Sequence, residues 1–137
     1  MKLYTYYASE DSLNNFIRLG IIPTIILRNI RDSNILMPYA DTYVHLRELS
    51  PSTDLFQKFK NNQIDVEEYH YQYLIELLDR HISTFNLYKK FKSLCRICNT
   101  DEIVLLGYSI DPNYCHRRAL AEFLGEIWNI EINEWSD

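Results

Sequence analysis

The chain has 137 residues, a length that fits one domain and suffices to bury a core without disulfides or metals. Hydrophobic residues make up 47% and charged residues 24%, an ordinary balance for a globular protein. A net charge of −5, from 14 basic and 19 acidic residues, excludes a protein whose main task is coating nucleic acid, which needs a positive surface; a small basic pocket stays compatible.

No apolar run reaches bilayer length, and the N-terminus reads as a strand rather than a signal peptide. Cys95, Cys98 and Cys115 are an odd set, which predicts free thiols in a reducing, cytoplasmic compartment. Aromatics reach 14%, and 11 residues are Tyr. An apolar ring with a polar tip suits a ligand cleft or a subunit contact, and equally a core with wet edges.

In chain order, Lys2 to Tyr7 predicts a first strand. Leu13, Phe16 and Ile17 follow helical spacing, and Gly20 is placed to stop that helix. Ile21 to Leu27 is a continuous apolar run, as in strands covered on both faces, with Pro23 expected at the strand's start. Arg28 to Asp41 reads as a long loop of the kind that is often functional, and Tyr43 to Leu46 as a short strand. Ser50-Pro51 predicts a helix start, with Ser as N-cap and Pro as first helical residue. Leu55, Phe56 and Phe59 supply its apolar side, and Asn61-Asn62 breaks it. Asp65 and Glu68 have capping-box spacing for a helix reaching about Arg80. A further helix runs from Ser83 or Thr84 to about Cys98, and Asn99 to Asp101 turns the chain. Glu102 to Tyr108 is the strongest strand candidate, a helix follows from Pro112 to about Gly125, and Ile130 to Trp135 alternates as a last strand. This order predicts a single α/β domain over residues 1–137: a Rossmann-like, mostly parallel sheet of about four to five strands with helices on both faces. Ligands of such sheets bind at the carboxyl ends of the strands. Tyr7 and Ser9, Arg28 and its loop, Ser50, and Tyr108 and Ser109 up to Arg117 are therefore expected at the site.

The stretch Asp111-Pro112-Asn113-Tyr114-Cys115-His116-Arg117-Arg118 concentrates the chemistry. With Asp111 as cap, the N–H groups of Asn113, Tyr114 and Cys115 would carry positive potential and attract a phosphate or carboxylate. Helical spacing turns His116 inward with Ala119, Leu120 and Phe123, sets Arg117 beside that face, and pairs Arg118 with Glu122. Arg117 is the candidate anion contact. A helix start lowers a thiol pKa, so Cys115 is a candidate nucleophile beside His116. The plainer alternatives are a small buried Cys115 and a core His116 satisfied by hydrogen bonds. Cys95 and Cys98 with Cys115 and His116 have the donor types of a zinc site, but one Cys-x-x-Cys ending a helix is a weak signal, and no metal or cofactor is expected.

Val104-Leu105-Leu106-Gly107-Tyr108, then Cys115-His116-Arg117-Arg118-Ala119-Leu120-Ala121-Glu122-Phe123-Leu124, resembles the C-terminal signature of the domain-of-unknown-function 488 family: an apolar strand, a variable loop, then Cys-His-Arg leading into a helix. Leu46-Arg47-Glu48-Leu49-Ser50-Pro51-Ser52, followed by Ile64 to Tyr69, is similar to a second part of the family, as are Tyr4 to Ala8 and Ile25 to Arg28. The resemblance spans nearly the whole chain and implies a Rossmann-like domain without specifying a reaction. Relatives often carry a cysteine where this chain has Gly107; the glycine is expected to leave room for a ligand to approach the backbone.

Two functions follow as expectations. One is binding of a small anionic, nucleotide-like ligand, with phosphate at the helix start, Arg28 and Arg117 neutralising charge and Tyr rings stacking on a base; such a module senses or sequesters a nucleotide signal, as small phage-encoded sponges do. The other is an enzyme acting on a nucleotide or nucleic-acid component through Cys115 or His116, although no paired carboxylate or Gly-rich phosphate loop accompanies them. The Tyr-rich helices predict a homo-oligomer; no membrane partner and no extended nucleic-acid surface are expected.

Overall fold

A computed structural model describes residues 1–28 and 43–136. The loop expected over Arg28 to Asp41 therefore lies, apart from Arg28, outside the described residues. The elements run β1 (Lys2–Tyr7), α1 (Glu10–Leu19), β2 (Ile22–Ile25), β3 (Val44–His45), α2 (Thr53–Lys60), α3 (Val66–Asp79), α4 (Thr84–Cys98), β4 (Glu102–Gly107), α5 (His116–Trp128) and β5 (Glu131–Glu134). The five strands form one all-parallel sheet in the order β3-β2-β4-β1-β5. This is the Rossmann-like α/β architecture that the element order predicts.

The central strand β4 pairs with β1 from Lys2–Glu102 to Tyr7–Gly107, and with β2 from Ile22–Ile103 to Ile25–Leu106. Alternation along it builds two cores. Val104 and Leu106 meet Leu13 and Phe16 of α1 on one face; Ile103 and Leu105 meet α2 to α5 on the other. Each fully buried Leu, Ile or Phe there contributes about 1.5–3 kcal/mol. Pro23 is the second residue of β2, one ahead of the first residue that pairs with β3, where its missing N–H does little harm. Gly20 ends α1 at φ 74°, a left-handed conformation that costs glycine little.

Two helix starts differ from the sequence expectation. Ser50 does not cap α2. Its hydroxyl donates to the Arg47 carbonyl at 2.7 Å and its N–H bonds the same oxygen, so it closes a 3₁₀ turn, Arg47–Leu49. Ser52 is the N-cap, accepting from the Leu55 N–H at 3.1 Å, and Pro51 stays outside the helix. Likewise Asp111 caps a separate 3₁₀ turn, Pro112–Tyr114, by accepting from the Asn113 N–H at 2.9 Å. The Tyr114 and Cys115 N–H groups bond to Asp111 and Pro112 carbonyls. α5 starts one step later, with Cys115 itself as N-cap. The expected anion cradle of Asn113, Tyr114 and Cys115 amides is therefore spent within the turn.

Among the described residues no helix is long and apolar enough to cross a membrane.

Candidate active site

The chain leaves β2 towards β3 and leaves the adjacent β4 towards β5, so the two connections diverge and open a crevice at the carboxyl ends of these strands. A cleft of about 730 Å³ occupies it. Arg28 closes one side, after β2; Tyr108 and Ser109 lie after β4; Cys115 and His116 form the base at the start of α5. α2 and α3 form the outer wall with Phe56, Phe59 and Tyr69, joined by Tyr114.

Cys115 and His116 are adjacent in sequence and both buried, at 2% and 0% exposure. The extended N-cap conformation of Cys115 aims its sulfur back at the imidazole, with Sγ 3.9 Å from His116 Nδ1. On the far side of the ring, Nε2 donates to the Ile26 carbonyl at 2.9 Å. That bond puts a hydrogen on Nε2 and leaves Nδ1 to exchange a proton with the thiol. Tyr73 and Tyr108 hold the ring at centroid distances of 5.2 and 5.9 Å, and the buried Tyr73 hydroxyl donates to the Leu49 carbonyl at 2.5 Å.

Burial pushes the Cys115 thiol up, but the charge of and hydrogen bond from His116, with the charge and backbone N–H of Arg117, outweigh it. The net effect lowers the thiol from 9.0 to about 6. At neutral pH the sulfur is then mainly thiolate, the nucleophilic form. Burial by contrast pushes the Tyr69 and Tyr73 phenols up, so both remain neutral hydrogen-bonding groups. Burial also lowers His70, on α3, with the neighbouring charge of His116 adding to this.

The cleft walls are aromatic pairs. Phe56 stacks on Tyr108 with centroids 4.8 Å apart, and Phe59 on Tyr69 at 4.3 Å. Lys60 sits 5.2 Å over the Phe56 ring. The Arg28 backbone N–H donates to the Tyr108 hydroxyl at 3.2 Å, tying the ends of β2 and β4 together. Such walls accept a planar ring, and Arg28 and Lys60 put positive charge at its edge.

Of the residues singled out from sequence, the fold brings Arg28, Tyr108, Ser109, Cys115 and His116 to this cleft. Tyr7 ends β1 opposite Gly107 and packs on Tyr6, while Ser9 caps α1 by accepting from the Ser12 N–H; neither lines the cleft. Ser50 is buried in its own turn. Arg117 is fully buried rather than aimed into the cleft. Its guanidinium donates to both Glu134 oxygens, at 3.2 and 2.9 Å, and to the Ser109 and Ile110 carbonyls, so its donors are committed to the protein. Gly107 also serves a different purpose from the one expected. A Cβ there would stand 2.5 Å from Cys115 Sγ and 3.2 Å from Arg117 Cβ, so the glycine makes room for the nucleophile, not for a ligand. Cys95 and Cys98 end α4, where Cys95 lies with Thr100 and Asp101 just ahead of β4, at the opposite edge of the sheet from Cys115. Among the described residues no three His, Cys, Asp or Glu side chains gather to hold a metal. Sequence reasoning missed the α2–α3 wall. Its signal was present in Phe56, Phe59 and Tyr69, which helical spacing assigns to core.

A parallel α/β sheet carrying a cysteine–histidine pair at its carboxyl edge defines a Rossmann-like domain with a candidate nucleophile. Residues 5–127 match the family model described as the active DUF488-N3 subclade, and the chain belongs to this branch of the domain-of-unknown-function 488 family. No curated protein and no solved structure matches the chain.

Proposed function

We propose that the protein is a thiol-dependent enzyme acting on a nucleotide-like or nucleic-acid-component substrate, with Cys115 as nucleophile and His116 as its proton partner. The observation that carries this is the Cys115–His116 pair at the base of the cleft, with His116 Nδ1 facing the sulfur and Nε2 anchored on Ile26. A planar base fits between the aromatic walls, and an anionic group meets Arg28 and Lys60 at the rim. The thiol proton passes to His116 Nδ1. Sγ then bonds to an electrophilic carbon of the substrate, and the departing group takes that proton. Water releases the sulfur in a second step. The setting is cytoplasmic, where Cys115 stays reduced, and a homo-oligomer is compatible with the exposed Tyr71, Ile75 and Leu78 of α3.

The alternative is sequestration of a nucleotide signal without conversion. It is favoured by the 2% exposure of Cys115, while Phe56, Phe59 and Tyr108 of the cleft stay half-buried and reachable. A panel of mono-, di- and cyclic nucleotides separates the two. Turnover by the wild type, with Cys115→Ser binding the same compound unchanged, supports the enzyme. Equal binding by both proteins without product supports the sponge. A panel in which nothing binds overturns the nucleotide-like class.

A further inference from the structure

Arg117 runs from the nucleophile to the far edge of the sheet. Its side chain crosses over Gly107, and its buried guanidinium is paired on one side with Glu134 of β5. On the other side its Cβ and Cδ share the space over Gly107 with the Cys115 sulfur, so the guanidinium charge lies close enough to lower that thiol. The Ser109 and Ile110 carbonyls hold it from a third direction. Glu134 is itself fixed: its Oε1 accepts from the Thr5 hydroxyl at 2.5 Å. Two acids of different kinds, a thiol in the cleft and a carboxyl outside it, thus draw on one buried cation.

We infer that Glu134 is a positioning residue for Cys115: by holding the Arg117 guanidinium from the edge strand, it sets how much of that charge the sulfur receives. The inference rests on the proposed role of Cys115 as nucleophile. Glu134 never touches the cleft, and its side chain is 31% exposed on the opposite flank of the β4–α5 turn. It stands on β5, beyond residues 5–127, the stretch matched to the family.

The other groups around the sulfur act with or against the guanidinium. His116, the next residue of α5, adds positive charge; His70, Tyr69 and Tyr73 stand on α3. Arg28 and Tyr108 close the cleft from the ends of β2 and β4, and Lys60 faces it from α2. Among these, Glu134 is a carboxylate bonded directly to the cation whose charge lowers the thiol. Neutralising it removes a competitor for Arg117 while the two carbonyls keep the guanidinium in place. The thiolate then gains stability and loses nucleophilicity, since better-paired thiolates attack more slowly.

The test uses the full chain and iodoacetamide. Alkylation of Cys115 is followed by peptide mass spectrometry from about pH 5 to about pH 9, in wild type, Glu134→Gln, Arg117→Lys and the double variant, with thermal melts as folding control. In Glu134→Gln the midpoint of alkylation falls by about half a pH unit and the plateau rate drops by about 1.6- to 1.8-fold. In the Arg117→Lys background the same change has a smaller effect. An unchanged or raised midpoint in Glu134→Gln overturns the inference, as does a shift of equal size without Arg117. If Arg117→Lys does not fold, the Glu134→Gln profile decides alone. A wild-type midpoint in the ordinary thiol range would instead remove the nucleophile reading, a separate failure.

Discussion

Cys95 and Cys115 are both buried thiols, yet the fold shifts them in opposite directions. Cys95 ends its helix at the amino edge of the sheet; burial raises it, the nearby Asp101 carboxylate adds to that, and Lys92 offsets only part. Cys115 begins its helix at the carboxyl edge. It meets the same desolvation, but His116 and Arg117 stand against its sulfur and reverse the outcome. Burial alone makes a thiol inert; a helix start with cationic neighbours makes it reactive.

The strongest way to break this contrast is to exchange the two sulfurs for oxygen in turn. Cys115→Ser should lower turnover by about a thousandfold or more, while Cys95→Ser should leave it unchanged in a steady-state assay. Next in size is His116→Gln. It removes the charge and proton partner while leaving an amide able to reach Ile26. Turnover should fall by about 10²–10⁴-fold, and the Cys115 midpoint should rise towards that of Cys95. Gly107→Ala sharpens the contrast by geometry, since its Cβ would press on Cys115 Sγ. It should cost about 1–3 kcal/mol in a denaturant melt and slow alkylation of Cys115 but not of Cys95. The smallest effect is expected from Tyr73→Phe, which leaves the buried Leu49 carbonyl without its donor and should cost about 1–2 kcal/mol.

The two thiols also differ in how pH couples to folding. The folded Cys115 ionises more readily than an unfolded thiol at 9.0, so its ionisation stabilises the fold fully above that pH. The contribution declines as pH falls and is lost below about 6. Cys95, raised on folding, has the opposite sign, and its ionisation at high pH works against the fold. Melts of Cys115→Ser against wild type should therefore converge as pH approaches 6 from above.

Much of the fold was legible because the sequence repeats it locally. Alternation, helical spacing, Gly20, Asp65 and Ser83 each agree with the tertiary structure. The two misplaced helix starts share one cause. At Ser50 and at Asp111 a 3₁₀ turn takes the first capping residue, so the α-helix begins later, capped by the Ser52 side chain in one case and starting after Cys115 without a side-chain cap in the other. The site was legible where it is contiguous, in Cys115 and His116. It was not legible where partners are distant: Glu134 completes Arg117 from 17 positions away, and Ile26 fixes His116 from 90. Phe56 and Tyr69 looked like core because an aromatic lining a cleft and one filling a core obey the same helical period.

The direct test of the central claim is the pH profile of iodoacetamide alkylation, resolved by peptide mass spectrometry for Cys115 and Cys95 in one wild-type sample. Cys115 should titrate with a midpoint of about 6, and Cys95 above the ordinary thiol value of 9.0. Coincident midpoints at or above 9.0 would contradict a nucleophilic Cys115.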